Sequence, residues 1–172
     1  MKSDHPGKSF GAIELTVLFF SFLVGVRAQT PRGASSVPQA HATEPSSPNG
    51  SDLIQPEELV NVLRSLKSAK PLIMQVGFHV LYAQAHIPGS EYIGPSSSPE
   101  GIGQLRKRVE SLPRTQFIVL YCGCCPWSKC PNVTPAYKEL RSMGFKNVKV
   151  LYIASNFGAD WVDKGYPVAK ER

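Results

Sequence analysis

The sequence is poor in cysteine: four residues among 172, too few for a disulfide-stapled scaffold. It has no extended basic arm or stripe. The formal charge of +6, from 19 Lys and Arg against 13 Asp and Glu, is therefore a mild bias toward anionic partners and not the footprint of a nucleic-acid binder. A bilayer-spanning helix needs about 20 apolar residues, and the longest uncharged run near the N-terminus, Leu15–Val26, falls short of that. Aromatics are sparse at 9%, but hydrophobic residues reach 42%, which excludes collagen-like, coiled-coil and wholly disordered chains.

What is present is unevenly placed. Met1–Ala28 has the form of an export signal: Lys2 and Lys8, the uncharged run Leu15–Val26, then Val26-Arg27-Ala28 with apolar residues where a signal peptidase reads them. The expected location is exported, either periplasmic or secreted. The membrane is touched only through this segment, if it stays uncleaved. Residues 29–51 read as a linker, with Pro31, Pro38, Pro45 and Pro48 among Ser, Ala, Gly and Thr and almost nothing to bury. His41 lies there as a solvated side chain. The folded unit is then 52–172, large enough for a core without staples.

Within that unit helical and strand patterns alternate. Pro56, Glu57 and Glu58 open a helix with Leu59, Leu63 and Leu66 as its apolar face. Residues 71–76 make a short apolar strand, and 80–85 a helical turn before His86-Ile-Pro-Gly-Ser90. The stretch 101–112 is amphipathic, with Ile102, Leu105 and Val109 opposite Arg106, Lys107 and Arg108. Phe117–Tyr121 is continuously apolar, the mark of a central strand in a parallel sheet. A helix over 135–143 stops at Gly144, a strand covers 148–153, and a short helix near Asp160–Val162 ends the pattern. The expected fold is a single α/β domain, a small parallel sheet flanked by helices on both faces.

All four cysteines fall in one loop, Cys122-Gly-Cys-Cys-Pro-Trp-Ser-Lys-Cys130, between the central strand and the next helix. Reactive groups of parallel sheets gather past the carboxyl ends of strands, and Cys122 stands there. A helix start and inward-turned backbone amides favour an anion, so Cys122 is expected as a thiolate nucleophile, with Lys129 as a nearby cation.

Residues 52–172 resemble a rhodanese-like domain. The resemblance rests on Ile54-Gln-Pro-Glu-Glu-Leu59, Ala85-His-Ile-Pro-Gly-Ser90 and Phe117-Ile-Val-Leu-Tyr-Cys122. It continues through Ala136–Leu140, Gly144–Val148 and Trp161 with Lys164–Val168. It implies a sulfurtransferase in which Cys122 carries sulfane sulfur as a persulfide, taken from a small donor such as thiosulfate or polysulfide and passed to a thiol acceptor. The active-site loop then comprises Gly123, Cys124, Cys125, Trp127, Lys129 and Cys130; no cofactor is implied, and His86 is structural. Three departures stand out: Gln75-Val-Gly77 where the family carries an Asp-Val-Arg type strand end, Asn156-Phe157 where a double glycine is usual, and a long loop without the usual Arg.

Cys124, Cys125 and Cys130 have no place in the simplest persulfide scheme. A second thiol could resolve a persulfide on Cys122, a structural disulfide could run through Cys130, and Cys122 with Cys125 forms a C-x-x-C pair. The C-x-C-C-x4-C spacing also offers four thiolates for Zn2+ or a small Fe–S site. It lacks the paired C-x-x-C knuckles of zinc sites, so no metal ligand set is assigned. Trp127 is expected to cap the loop. The alternative to an enzyme is a non-enzymatic thiol-redox or metal-binding module on the same fold.

Overall fold

A computed structural model describes residues 46–66 and 69–171. The expected export signal and residues 29–45 of the linker lie outside the described residues. Residues 46–51 of the stretch read as linker are described, and they are structured. Pro48 is buried, and Asn49 caps a 3-10 turn at Gly50–Asp52, accepting from Ser51 N–H while Asp52 accepts from Asn49 N–H.

Five short strands form one sheet: β1 (Leu53–Ile54), β2 (Leu72–Gln75), β3 (Glu91–Tyr92), β4 (Ile118–Tyr121) and β5 (Val148–Leu151). Their order is β1-β5-β4-β2-β3 and every pairing is parallel. The apolar run that suggested a central strand is β4, which is buried along its whole length. Four helices connect the strands: α1 (Pro56–Arg64), α2 (His79–Gln84), α3 (Pro99–Val109) and α4 (Val133–Ser142). A single π turn, Gly158–Val162, stands where the last short helix was expected.

Side chains of a strand alternate between faces, and β4 therefore feeds two cores. Ile118 and Leu120 join Leu105 and Val109 of α3 and Leu140 of α4 on one side. Val119 and Tyr121 join Leu59 of α1 and Trp161 on the other. Cys122, next in the register of 118 and 120, falls in the first cluster. That parity decides which neighbours its sulfur meets.

Local chemistry explains the helix limits. Pro56 fixes the first turn of α1 with Glu57 and Glu58 at its positive end. Its far end closes where the Lys70 ammonium donates to the carbonyls of Val62 and Ser65, at 3.2 and 2.6 Å. Leu66 lies beyond that closure and is fully exposed, so it is not part of the apolar face expected of it. In α4, Gly144 takes φ 87°, the left-handed cap that lets Phe145 N–H reach back to Leu140 O. Arg106 and Arg108 on the basic face of α3 pair with Glu139 of α4 and Glu91 of β3. Two of the basic side chains are thus paired within the fold, and the net charge of +6 is unchanged.

Leu140 has no exposed surface, so Leu140→Ala is expected to destabilise the fold by about 2–5 kcal/mol through transfer and cavity terms. Leu66→Ala should stay within about 0.5 kcal/mol of the parent. Urea denaturation of both variants checks the contrast.

Candidate functional site

The candidate site is built where β4 ends. Cys122 is buried, with 3% of its surface exposed, and its backbone carbonyl accepts a 2.8 Å hydrogen bond from Gln75 Nε2 at the end of β2. Gln75 Oε1 in turn accepts from Gly77 N–H at 3.1 Å. An amide side chain thus braces the strand end in place of the charged pair whose absence the sequence shows. Gly77 is needed for space: a Cβ there would stand 2.5 Å from Cys122 Sγ.

Gly123 turns the chain out of the strand with φ 90°, and a Cβ on it would meet Phe157 Cβ at 2.9 Å. Phe157 N–H donates to Gly123 O at 3.0 Å. The Asn156-Phe157 pair that replaces the expected double glycine therefore anchors the start of the loop. The far side is tied by Trp127 N–H donating to Ile153 O at 2.9 Å. Trp127 itself is half-buried against the α3/α4 core, and Lys129 ends a 3-10 turn at the surface.

The loop folds its sulfurs together. Cys124 Sγ lies 3.3 Å from Cys122 Sγ and 3.1 Å from Cys125 Sγ. Cys122, Cys124 and Cys130 have sulfurs within 4.8 Å of one another, a spacing that one soft cation could share and that equally suits sulfur-to-sulfur chemistry. All four are free thiols in this structure, so the expected disulfides are not formed in it. Asn132, fully buried, donates from Nδ2 to Cys122 Sγ at 3.5 Å and accepts at Oδ1 from Ser97 N–H at 2.9 Å.

The charge falls on a different sulfur from the one expected. Cys130 precedes α4, and its pKa is lowered to about 6 by the hydrogen bond from the Cys122 thiol and by the backbone amides of Asn132 and Val133. The Cys122 thiol is pushed well above the usual range by that same hydrogen bond, by burial and by the negative charge of Cys130. Cys125 is pushed up to about 12, chiefly by burial. Both sulfurs are buried in the same core cluster, so burial does not separate them; the amides of Asn132 and Val133 act on Cys130, and that of Cys124 acts on Cys122. The two neighbouring sulfurs titrate together, and Cys130 is the more readily ionised of them.

A cleft of about 420 Å³ opens at Cys122. Its walls include Gln75, Gln84 and Asn156 as amides and Leu81, Tyr121 and Phe157 as apolar surface. Among the described residues no lysine or arginine lines it, Lys129 included. Tyr121, whose hydroxyl is held by Ser90 Oγ and Ile87 N–H, is kept protonated by burial, its pKa pushed up to about 12. His86 stacks on Tyr82 at 4.0 Å between ring centroids and is not among the cleft residues. Gln75, Gly77 and Phe157 were visible in the sequence only as departures from a pattern, and Asn132 carried no signal.

A family model described as the rhodanese-like domain matches residues 55–152. No curated protein sequence gives a significant match. Among solved structures, the rhodanese-like domain of an Anabaena sp. protein superposes with TM-score 0.51 at 22% identity, over 69% of this chain and 79% of that one. A Bacillus halodurans protein gives 0.53 at 19% identity, over 70% and 77%. A thiosulfate sulfurtransferase from Pseudomonas aeruginosa gives 0.52 at 25% identity, over 74% of this chain but only 20% of that much longer one.

A single thiolate should appear as pH is raised through about 6. Ultraviolet thiolate absorbance of the reduced protein checks this, and the step should vanish in Cys130→Ser while remaining in Cys125→Ser.

Proposed function

Because the chain belongs to the rhodanese-like domain family, we propose that it is a sulfurtransferase-like protein that carries sulfane sulfur as a persulfide on Cys122. One observation carries this reading: the Cys122 sulfur stands at the end of the central strand, at a cleft of about 420 Å³, with the Cys124 and Cys130 sulfurs within 4.8 Å of it. A donor persulfide enters the cleft, and its outer sulfur approaches Cys122 Sγ. The Cys122 proton passes to Cys130, the new S–S bond forms, and the donor leaves as its thiolate. The Cys124 amide and Asn132 Nδ2 face the Cys122 sulfur and stabilise charge on it during the exchange.

The cleft also bears on the donor. Thiosulfate carries two negative charges, and among the described residues no cationic side chain lines the walls to receive them. An organic persulfide or polysulfide suits the amide and apolar lining better. Loss of one charge-assisted hydrogen bond weakens binding by about 1.5–3 kcal/mol, so an organic persulfide is expected to exceed thiosulfate in kcat/KM by roughly tenfold or more. The export-like segment Met1–Ala28 supports a site of action outside the cytoplasm, with an extracytoplasmic thiol as acceptor.

Intact-mass measurement after donor treatment tests the carrier reading. Cys124→Ser should gain one sulfur atom, and Cys122→Ser should gain none. Uptake that persists in Cys122→Ser would remove Cys122 from the role.

A second reading, a soft-metal module, is favoured by the sulfurs of Cys122, Cys124 and Cys130 lying within 4.8 Å of one another. Elemental analysis of purified protein distinguishes it. One Zn2+ per chain that shields these thiols from alkylation would support the module, and metal-free protein with all four thiols reactive would dismiss it.

A further inference from the structure

The loop holds more sulfur than a carrier requires. Loading uses Cys122 as the bond-forming atom and Cys130 as the proton acceptor, which leaves Cys124 and Cys125 without a task. Residues two apart in a strand are separated by about 6.6 Å along the chain, yet Cys124 Sγ lies 3.3 Å from Cys122 Sγ. The left-handed turn at Gly123, pinned by Phe157, folds the second thiol back onto the first. Forming a disulfide of about 2.05 Å would require the sulfurs to close by roughly 1.3 Å. Cys124 is half-buried and lines the cleft, so its side chain is not locked into the core. Cys130 is less suited to that movement, being buried with the first amides of α4 on its sulfur.

We propose that Cys124 discharges the persulfide on Cys122 by forming a Cys122–Cys124 disulfide and releasing hydrosulfide, which makes the domain a sulfane-sulfur reductase. The inference rests on the sulfur-loading reading above. The Cys124 sulfur attacks Cys122 Sγ and the bond between them forms. The bond from Cys122 Sγ to the sulfane sulfur breaks, and the Cys124 proton leaves with that sulfur as HS⁻. The two cysteine sulfurs lose the two electrons that the sulfane sulfur gains, so this step needs no outside oxidant or reductant. An external dithiol reductant then returns the disulfide to thiols, which places the domain between a reaction that produces persulfides and a reducing system that consumes disulfides.

The test uses the full chain, reduced, freed of reductant and kept anaerobic, with one equivalent of an organic persulfide. Sulfide release and intact mass are followed together. Wild type should release sulfide and end as a disulfide without added sulfur, and peptide mapping should join Cys122 to Cys124. Cys124→Ser should keep the added sulfur and release no sulfide above the donor's own background. The inference is overturned if wild type retains the sulfur without releasing sulfide, if Cys124→Ser releases as much as wild type, or if the mapped bond runs from Cys122 to Cys130. Absence of sulfur uptake in both proteins would instead remove the loading step, and this inference with it.

Discussion

The gathering of the Cys122, Cys124 and Cys130 sulfurs within 4.8 Å of one another, between the end of β4 and the start of α4, is the constraint on which the site depends. A strand that alternates its side chains delivers Cys122 into the core between sheet and helix, where a lone thiol would stay protonated and inert. The Cys130 sulfur beside it can take that proton, while its charge raises the Cys122 pKa. The amides of Asn132 and Val133 supply the field, and the Cys122 thiol supplies a hydrogen bond to the resulting anion. Neither sulfur has this character alone, and the pair is a proton donor and acceptor assembled from two different elements of the fold.

The surroundings of the pair are polar but nearly uncharged. Gln75 replaces a charged brace by donating to the Cys122 carbonyl and accepting from Gly77 N–H. Such a neutral brace fixes geometry without adding a cation that would draw small anions to the cleft. The negative charge on Cys130 acts in the same direction, since it repels an approaching dianion. The chemistry consistent with this field is exchange between sulfur atoms of low charge, and the close approach of Cys124 extends it from carrying sulfur to reducing it.

The sheet and its helices were legible in the sequence because each signal was local and physically redundant. The apolar run of β4, Pro56 with its acidic neighbours, and Gly144 after α4 each specify one conformation whatever surrounds them. The two-residue strands β1 and β3 were not legible, since they carry no run long enough to show a period. Cys122 stands at the strand end as the sequence indicates, whereas the face it takes and the direction of the α4 amides, on which its ionisation depends, are not written in the sequence. Asn132 illustrates the limit: one asparagine in a loop gives no sign that it will be fully buried, bridging Ser97 N–H and a sulfur.

The sulfur geometry is also bound to the stability of the whole domain. The loop has little regular structure of its own and is held by three tethers to different places: Phe157 to Gly123, Trp127 to Ile153, and Asn132 to Ser97. Those tethers exist only in the folded chain, so the lowered pKa of Cys130 is a property of the fold. The sign follows from linkage. Between about 6 and the ordinary thiol range, the folded chain binds fewer protons at Cys130 than the unfolded chain does, so rising pH favours folding at this residue. The contribution is complete above the ordinary thiol pKa and disappears as pH falls through about 6. The charge on Cys130 is thus tied to the folded loop, and acid removes its contribution.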